Sequence, residues 1–487
     1  MKILHLKISL LLTAILPWQL LSANETTDPV DKPNILVIIA DDLGWADIGY
    51  NNPEKVYSPN SDRLASEGAT FENHYVMPQC TPTRVALMTG RYPGRFGKAA
   101  LKATNERCFP VGTPTIATML KQRGYETFLC GKWHLGAEPE DGPNHHGFDY
   151  SYGSLAGAVG MYDHRYRKGK YFETWHRNME FIPGSENGRH ATDLIQEDAV
   201  RIISQKHENP FLLALTFHAP HTPLDERGRF TDQPTRLDPD NPGRWLNEDE
   251  IEWFNDPKGI IQKEKDPEKR LFLAAVHHLD HAIGMIVQSL DERGLRENTL
   301  ILFSSDNGPQ HSWPGNAYPD DLKLTDFNQR IPMRGHKVDV WEGGIRVPGF
   351  ANWKGKIKPG AVTDQVHIID WFPTLAKISG NDPVDAGDLD GIDISPALLS
   401  GNTLEKRDLY WIWNPKINRW ALRFGAWKIV SYGTKQPAVP GDWQLFNISE
   451  DPMESRNIAE QNPEILSDLH SKFLKQRAKD NQQKSLN

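Results

Sequence analysis

Residues 34–42 read Asn34-Ile35-Leu36-Val37-Ile38-Ile39-Ala40-Asp41-Asp42, an unbroken apolar run that stops at two adjacent carboxylates. A strand with one face in water alternates apolar and polar side chains, whereas a strand covered on both faces is apolar throughout, as in parallel sheets. Phe211 to Phe217 and Thr299 to Ser305 repeat the unbroken pattern. Helical spacing separates these runs. Ile116, Met119 and Leu120 fall at i, i+3 and i+4 ahead of Gly124, a stop signal. Ile195, Ala199, Ile202 and Ile203 mark a second helix, and Arg270 to Gly294 a longer third. Strands alternating with helices predict an α/β fold with a large, mostly parallel sheet flanked by helices. In such a sheet functional side chains gather in loops beyond the carboxyl ends of the strands.

The chain's 487 residues suffice for one large domain and a smaller one. Its 35 prolines and 38 glycines imply many turns and ordered loops, which suits a site assembled from loops on a rigid scaffold. A net charge of -9 argues against a general nucleic-acid binder. Near residue 400 the pattern changes: Trp420 to Val430 and Trp443 to Asn447 read as short amphipathic strands, and Pro463 to Lys479 as a helix. This predicts a catalytic domain over 24–400 and a small α+β domain over 401–487 built on an antiparallel sheet. At the amino end, Lys2 and Lys7 lead into the apolar run Ile8 to Leu16, and Leu21-Ser22-Ala23 offers small residues where a peptidase cuts. Residues 1–23 are therefore expected to be a signal peptide. The protein is expected to be exported to the periplasm or the extracellular space, or to a lysosomal compartment in a eukaryotic host. The amino-terminal run is shorter than the roughly 20 apolar residues that span a bilayer, and no later segment reads as a span. Three cysteines, Cys80, Cys108 and Cys130, exclude a disulfide framework. One pair is conceivable, Cys108 with Cys130, which leaves Cys80 to be explained.

Two adjacent carboxylates at a strand end repel each other unless a cation or hydrogen bonds compensate. Alone, Asp41-Asp42 reads as a solvated loop or a helix cap. A second acidic site changes that reading, because Asp306-Asn307-Gly308 follows Thr299 to Ser305 in the same manner. If the two strands are neighbours, their ends form an all-oxygen pocket, which suits Ca²⁺ or Mg²⁺ rather than zinc.

Cys80-Thr81-Pro82-Thr83-Arg84 opens a short helical stretch ended by Gly90, with Pro82 in its first turn. Cys80 then stands at a helix N-terminus, where free amides and the dipole attract an anion, and Arg84 lies close enough to neutralise one. The three-residue gap between Cys80 and Arg84 differs from the five-residue gap of thiolate phosphatases. Cys80-x-Pro82-x-Arg84, continued by Met88-Thr89-Gly90-Arg91, resembles the signature of the formylglycine sulfatases, the type I sulfatases of the alkaline phosphatase superfamily. Gly131-Lys132-Trp133-His134-Leu135-Gly136 resembles their second signature. Asp41-Asp42-Leu43-Gly44-Trp45, Ser58-Pro59-Asn60, Pro220-His221-Thr222-Pro223, Ser305-Asp306-Asn307-Gly308 and Glu342-Gly343-Gly344-Ile345-Arg346 stand around these in family order.

The resemblance implies an alkaline-phosphatase-like fold and hydrolysis of sulfate monoesters. It implies that Cys80 is oxidised after translation to formylglycine (3-oxoalanine) by a maturation enzyme. Asp41, Asp42, Asp306 and Asn307 would hold one Ca²⁺, with the modified Cys80 as a further ligand. Arg84, Lys132 and His134 would surround the diol of the hydrated aldehyde, and His221 and Lys337 would face the sulfate and the leaving oxygen. One departure stands out: the family often flanks that lysine with glycines, and here it sits in Gly335-His336-Lys337-Val338. The resemblance also favours a sulfated carbohydrate as substrate, with an aryl sulfate accepted as a test compound. Tyr162, His164, Arg165, Arg167, Lys168 and Lys170 offer aromatic and cationic groups for a cleft, or equally form a solvated basic loop. His277, His278 and His281 resemble a metal cluster but read as a partly exposed helix face outside the site. Two rival functions remain open to the sequence. One is a phosphoester hydrolase of the same superfamily, and the other a sulfated-glycan binder in which Cys80 stays a thiol.

Overall fold

The computed structural model describes residues 32–166, 169–226, 238–241, 244–245, 248–310, 312–313, 324–325, 333–380, 388–413, 419–432 and 442–481. The expected signal segment over 1–23 lies outside them. Among the described residues twelve strands precede residue 400: β1 (Asn34–Ala40), β2 (Ala69–Tyr75), β3 (Glu126–Lys132), β4 (Tyr150–Ser154), β5 (Trp175–Arg177), β6 (Glu180–Phe181), β7 (Phe211–Thr216), β8 (Thr299–Ser305), β9 (Ser312–Trp313), β10 (Leu324–Thr325), β11 (Gly349–Asn352) and β12 (Gly360–His367). Ten of them form one sheet in the order β12-β2-β11-β8-β1-β7-β3-β4-β5-β6. Its centre, β8-β1-β7-β3-β4, is parallel throughout, while β11 and β5 run against their neighbours. The predicted fold class holds.

The unbroken apolar run of β1 has a direct structural cause. Ile35, Val37 and Ile39 point into one core cluster, and Leu36, Ile38 and Ala40 into another on the opposite face. Every side chain of the strand is therefore buried, and each large aliphatic one contributes about 1.5–3 kcal/mol. The second cluster packs the helices Ala191–Ile203 and Pro267–Glu292 on the sheet. Pro267–Glu292 is long and apolar enough to cross a membrane, which the sequence reading did not anticipate, but 72% of its apolar window is buried inside the protein. It is a core helix. The first cluster holds the helix Cys80–Thr89 and a four-stranded antiparallel sheet, β13 (Asp408–Trp413), β14 (Arg419–Phe424), β15 (Trp427–Tyr432) and β16 (Gln444–Asn447), backed by the helix Pro463–Ala478.

Cys108 and Cys130 are free, and their pairing is corrected. The alternation along β3 sends Cys130 to one face of the sheet, where its thiol meets Asp198, while Cys108 packs in the core of the other face.

The histidines of the long helix also differ from expectation. His277 and His281 flank Trp253 at the helix surface, but His278 is sealed beneath it, stacked on the indole at 4.1 Å. Its Nδ1 meets Glu226 Oε2 at 2.7 Å and its Nε2 meets Asp193 Oδ1 at 2.8 Å. His190 joins this group, and its Nδ1 accepts the Thr192 N–H. The ligating atoms lie close enough for a metal ion. Both nitrogens of His278 face carboxylates, however, and one lone pair of His190 is already engaged. The group therefore reads as an imidazolium clamped between two carboxylates. Burial opposes the charge, but Glu226 and Asp193 push the His278 pKa up to about 9.

A raised folded-state pKa gives stability that is complete below the unfolded value of 6.5 and is lost as pH rises through about 9. The wild-type protein should lose roughly 3 kcal/mol of unfolding free energy across that window. In His278→Gln this slope should be absent from urea unfolding measured against pH. An unchanged slope would show that His278 is neutral.

Candidate active site

The parallel register of β1 and β8 sets Ala40 opposite Ser305, so the acidic residues that follow each strand meet. Asp306 N–H donates to Ala40 O (3.0 Å), and Asp42 N–H donates to Asp306 Oδ1 (3.2 Å). Asn307 Nδ2 donates to Asp42 Oδ1 (2.7 Å). All four residues are buried. Two acceptor atoms, Asp41 Oδ1 and Asn307 Oδ1, are buried without a hydrogen-bond partner. Orphaned acceptors are costly in a protein interior. Carboxylate and amide oxygens of this kind fit a hard divalent cation. Ligand atoms of Asp41, Asp42 and His221 lie within 4.8 Å of one another, so an imidazole nitrogen stands beside these oxygens.

Three buried cations face the three carboxylates. Lys132 Nζ, at the end of β3, lies 2.5 Å from Asp41 Oδ2. Arg84 Nη2 lies 2.8 Å from Asp306 Oδ2, and its Nη1 donates to Lys132 O at 2.6 Å. Lys337 Nζ lies 2.8 Å from Asp42 Oδ2, and His221 Nε2 is 3.5 Å from the same oxygen. Burial works to raise the Asp41 carboxyl, but Lys132, His221 and Arg84 hold it below the usual range. Burial and the Asp41 charge push Asp306 up instead. Burial, reinforced by Lys132 and Arg84, holds the His134 imidazole well below its ordinary pKa and therefore neutral. Burial lowers His221 too, although Asp42 works against the shift.

Cys80 begins the helix Cys80–Thr89 and is 2% exposed. Burial pushes its thiol pKa up despite the nearby lysines, so the unmodified side chain is no activated thiolate. Gln79, just ahead of it, is fixed by the Ala103 N–H and the Trp413 indole N–H, both 2.8 Å from its side-chain oxygen. His134 adopts φ +57°, and its carbonyl accepts the Thr81 hydroxyl at 3.1 Å. Asp42 is likewise left-handed, at φ +66°. Sparsely populated backbone of this kind clusters at functional sites.

A recess of about 390 Å³ opens onto Cys80, Lys132, His134, His221 and Lys337. The sequence-derived site residues thus converge, with Arg84, Asp41, Asp42, Asp306 and Asn307 beneath the recess floor. The Sulfatase family model matches residues 33–380, most of the chain. The chain belongs to the sulfatase family. It is a type I sulfatase, a sulfuric ester hydrolase. Arylsulfatase J of Mus musculus is 29% identical, over 91% of this chain and 75% of that protein. N-acetylgalactosamine-6-sulfatase of Homo sapiens is 30% identical, over 78% of this chain and 68% of that protein. The structure of Ps i-CgsB in complex with k-i-k-neocarrahexaose is 28% identical, with a TM-score of 0.75 over 93% of this chain and 94% of that one.

The sulfatase recess has further lining that sequence reasoning did not assign to the site: Gln79, Thr104, Tyr166, Gln310, His336 and Val338. Gln310 and His336 could have been found by proximity to Asn307 and Lys337. Thr104 and Tyr166 carry no local signal. The aromatic and basic stretch is corrected in detail. Tyr166 lines the recess, whereas Tyr162 and His164 are buried around Trp175. Arg165 pairs with Glu173 and Lys170 with Glu138. Arg167 and Lys168 lie outside the described residues.

Gly157 is where the backbone must approach the histidine. A Cβ there would stand 2.6 Å from His134 Nε2. Gly157→Ala should displace the ring and lower kcat about tenfold or more, since small misplacements of reacting groups are expensive. The melting temperature should hardly change. Unaltered kcat would show that His134 does not need its present position.

Proposed function

We propose that this sulfatase is an exported enzyme that cleaves sulfate monoesters on sulfated carbohydrates, with residue 80 acting as formylglycine. The observation that carries the proposal is a recess lined by Cys80, Lys132 and Lys337, with Arg84 and both lysines paired to buried carboxylates of the four hard oxygen-ligand residues. The carbohydrate reading rests on relatives whose names specify N-acetylgalactosamine 6-sulfate, and on the similar structure bound to a neocarrahexaose. The amino-terminal segment, residues 1–23, supplies the export signal. We assign the catalytic residues to 24–400 and a supporting role to 401–487.

A sulfate monoester resists attack because its own oxygens repel a nucleophile. Among the site side chains three carboxylates balance three cations, so a divalent ion leaves a surplus of positive charge that favours an anionic ester. Asp41, Asp42, Asp306 and Asn307 would hold that ion, which we take to be Ca²⁺ from its all-oxygen donor set. It would supply Lewis acidity to residue 80 and to the ester oxygens. Hydrated formylglycine, made by a maturation enzyme, would supply two hydroxyls at residue 80, one as nucleophile toward sulfur and one whose deprotonation would release sulfate. A serine has a single hydroxyl and would retain the ester until water attacked it. Arg84, Lys132 and the free amides of the Cys80 helix stabilise charge spread over the transferring group. His134, neutral, takes the proton of the second hydroxyl. Lys337 faces the leaving oxygen and gives it a proton, with His221 beside it, because a departing alkoxide is a strong base.

Mass spectrometry of the tryptic peptide containing residue 80 from active protein should find the aldehyde or its hydrate. A panel of sulfated sugars should be desulfated while matched phosphate esters are not. Exhaustive chelation should abolish turnover, and Ca²⁺ should restore it. An intact thiol in fully active enzyme, or preference for phosphate esters, would overturn the proposal.

A further inference from the structure

Lys337 is held by its backbone as well as by Asp42. Its N–H donates to Pro309 O at 2.9 Å, just beyond Asp306-Asn307-Gly308. The next N–H, that of Val338, donates to Pro78 O at 2.6 Å, two residues before Cys80. Between these anchors Val338 adopts φ +74°. A β-branched residue strongly disfavours the left-handed region, so the surrounding structure must impose it.

The imposing group comes from the carboxyl-terminal sheet. Arg419, the first residue of β14, donates from Nη1 to Val338 O at 2.7 Å and pairs with Asp339 Oδ1 at 2.5 Å. Its guanidinium lies over the rings of Trp413 (4.9 Å) and Tyr432 (5.3 Å). Tyr432 closes the arrangement: its hydroxyl donates to Asp339 Oδ1 at 3.2 Å and accepts the Val340 N–H at 3.1 Å. The second carboxylate oxygen of Asp339 accepts the His336 N–H at 3.2 Å. The Nη1 group of Arg419 thus fixes both the carbonyl after Lys337 and the side chain that braces the residue before it.

We propose that Arg419 is the positioning residue for Lys337: by bridging Val338 O and Asp339 it keeps Val338 left-handed and so aims the Lys337 ammonium into the recess. The inference rests on the reading of Lys337 as the group that serves the leaving oxygen. Arg419 lies outside the recess lining and reaches Lys337 through Val338 O and the Asp339 carboxylate.

The test uses the full-length mature enzyme with 4-nitrophenyl sulfate and phenyl sulfate, which share a shape and differ in leaving-group basicity. Lys337→Ala should lose more kcat on phenyl sulfate than on the nitro compound. Arg419→Ala should show the same selective loss, of about tenfold to a hundredfold on phenyl sulfate, with KM little changed. In a Val338→Gly background, where the left-handed backbone carries no penalty, adding Arg419→Ala should cost less than about threefold. Should Arg419→Ala fail to fold, Arg419→Met, which keeps an aliphatic stem and has no donor, replaces it in both backgrounds, with the same pattern expected. Equal losses on both esters, or an Arg419 effect as large in the Val338→Gly background as in the wild-type one, would overturn the inference while leaving the Lys337 reading intact. Absence of leaving-group selectivity in Lys337→Ala would overturn both.

Discussion

Like charges crowded at adjacent strand ends are the constraint on which the site depends. Asp41, Asp42 and Asp306 are each at most 1% exposed, and no hydrophobic arrangement compensates three buried carboxylates. The fold answers with Arg84, Lys132 and Lys337, each delivered from a different segment. Because a buried charge left alone costs several kcal/mol, each segment that brings a cation is tied to the sheet by that requirement. The structural integrity of this end of the sheet therefore draws on these charges. Parallel strands make this possible, since β1, β3, β7 and β8 all discharge their chains at one edge.

The parts of this arrangement that were legible in the sequence are those that burial writes locally. A strand covered on both faces must be apolar throughout, and β1, β7 and β8 announced themselves for that reason. The helix of Cys80 was readable from Pro82 and Gly90, and Gly90 closes it in the left-handed conformation. Strands such as β2 and β12 escaped notice. β12 is an edge strand with exposed positions at Gly360, Ala361 and Thr363, so its sequence carries no apolar run. β2 mixes Glu72, Asn73 and His74 into its seven residues, because only part of it meets a core. Pairing at long range was illegible altogether. Nothing in Arg419 or Val338 announces a contact across 81 residues, and the segment between Gly136 and His190 could be read only by composition.

Site residues were legible as types and not as geometry. The sequence offered oxygen ligands, a cysteine at a helix end and scattered lysines and histidines. Family resemblance assigned them roles; only the fold brought them within hydrogen-bonding distance. His278 illustrates the opposite case. Its spacing with His277 and His281 suggested a surface, yet Asp193 and Glu226, distant in sequence, enclose it. A histidine's meaning is set by what faces both of its nitrogens, which no local pattern records.

The small carboxyl-terminal sheet is part of this electrostatic design. Glu342 of the Glu342-Gly343-Gly344 motif is fully buried, and Lys428 of β15 lies between it (2.9 Å) and Glu454 (2.7 Å). Tyr75 of β2 donates to Glu342 from the other side at 2.7 Å. Burial and the neighbouring Glu342 charge raise Glu454 to about 7, which shows how closely the group is balanced. The two glycines that follow allow the backbone to press against the loop that follows β8. Gly308 N–H donates to Gly344 O at 3.0 Å, and a Cβ on Gly308 would stand only 1.9 Å from Gly343 O. One chain of contacts therefore runs from Lys428 through Glu342 and the glycine pair to Asp306-Asn307-Gly308. The parallel chain through Arg419 reaches Lys337. Residues beyond 400 supply no recess lining among the described residues, yet they fix two of the segments that do. The antiparallel sheet shares a core cluster with one face of the large sheet.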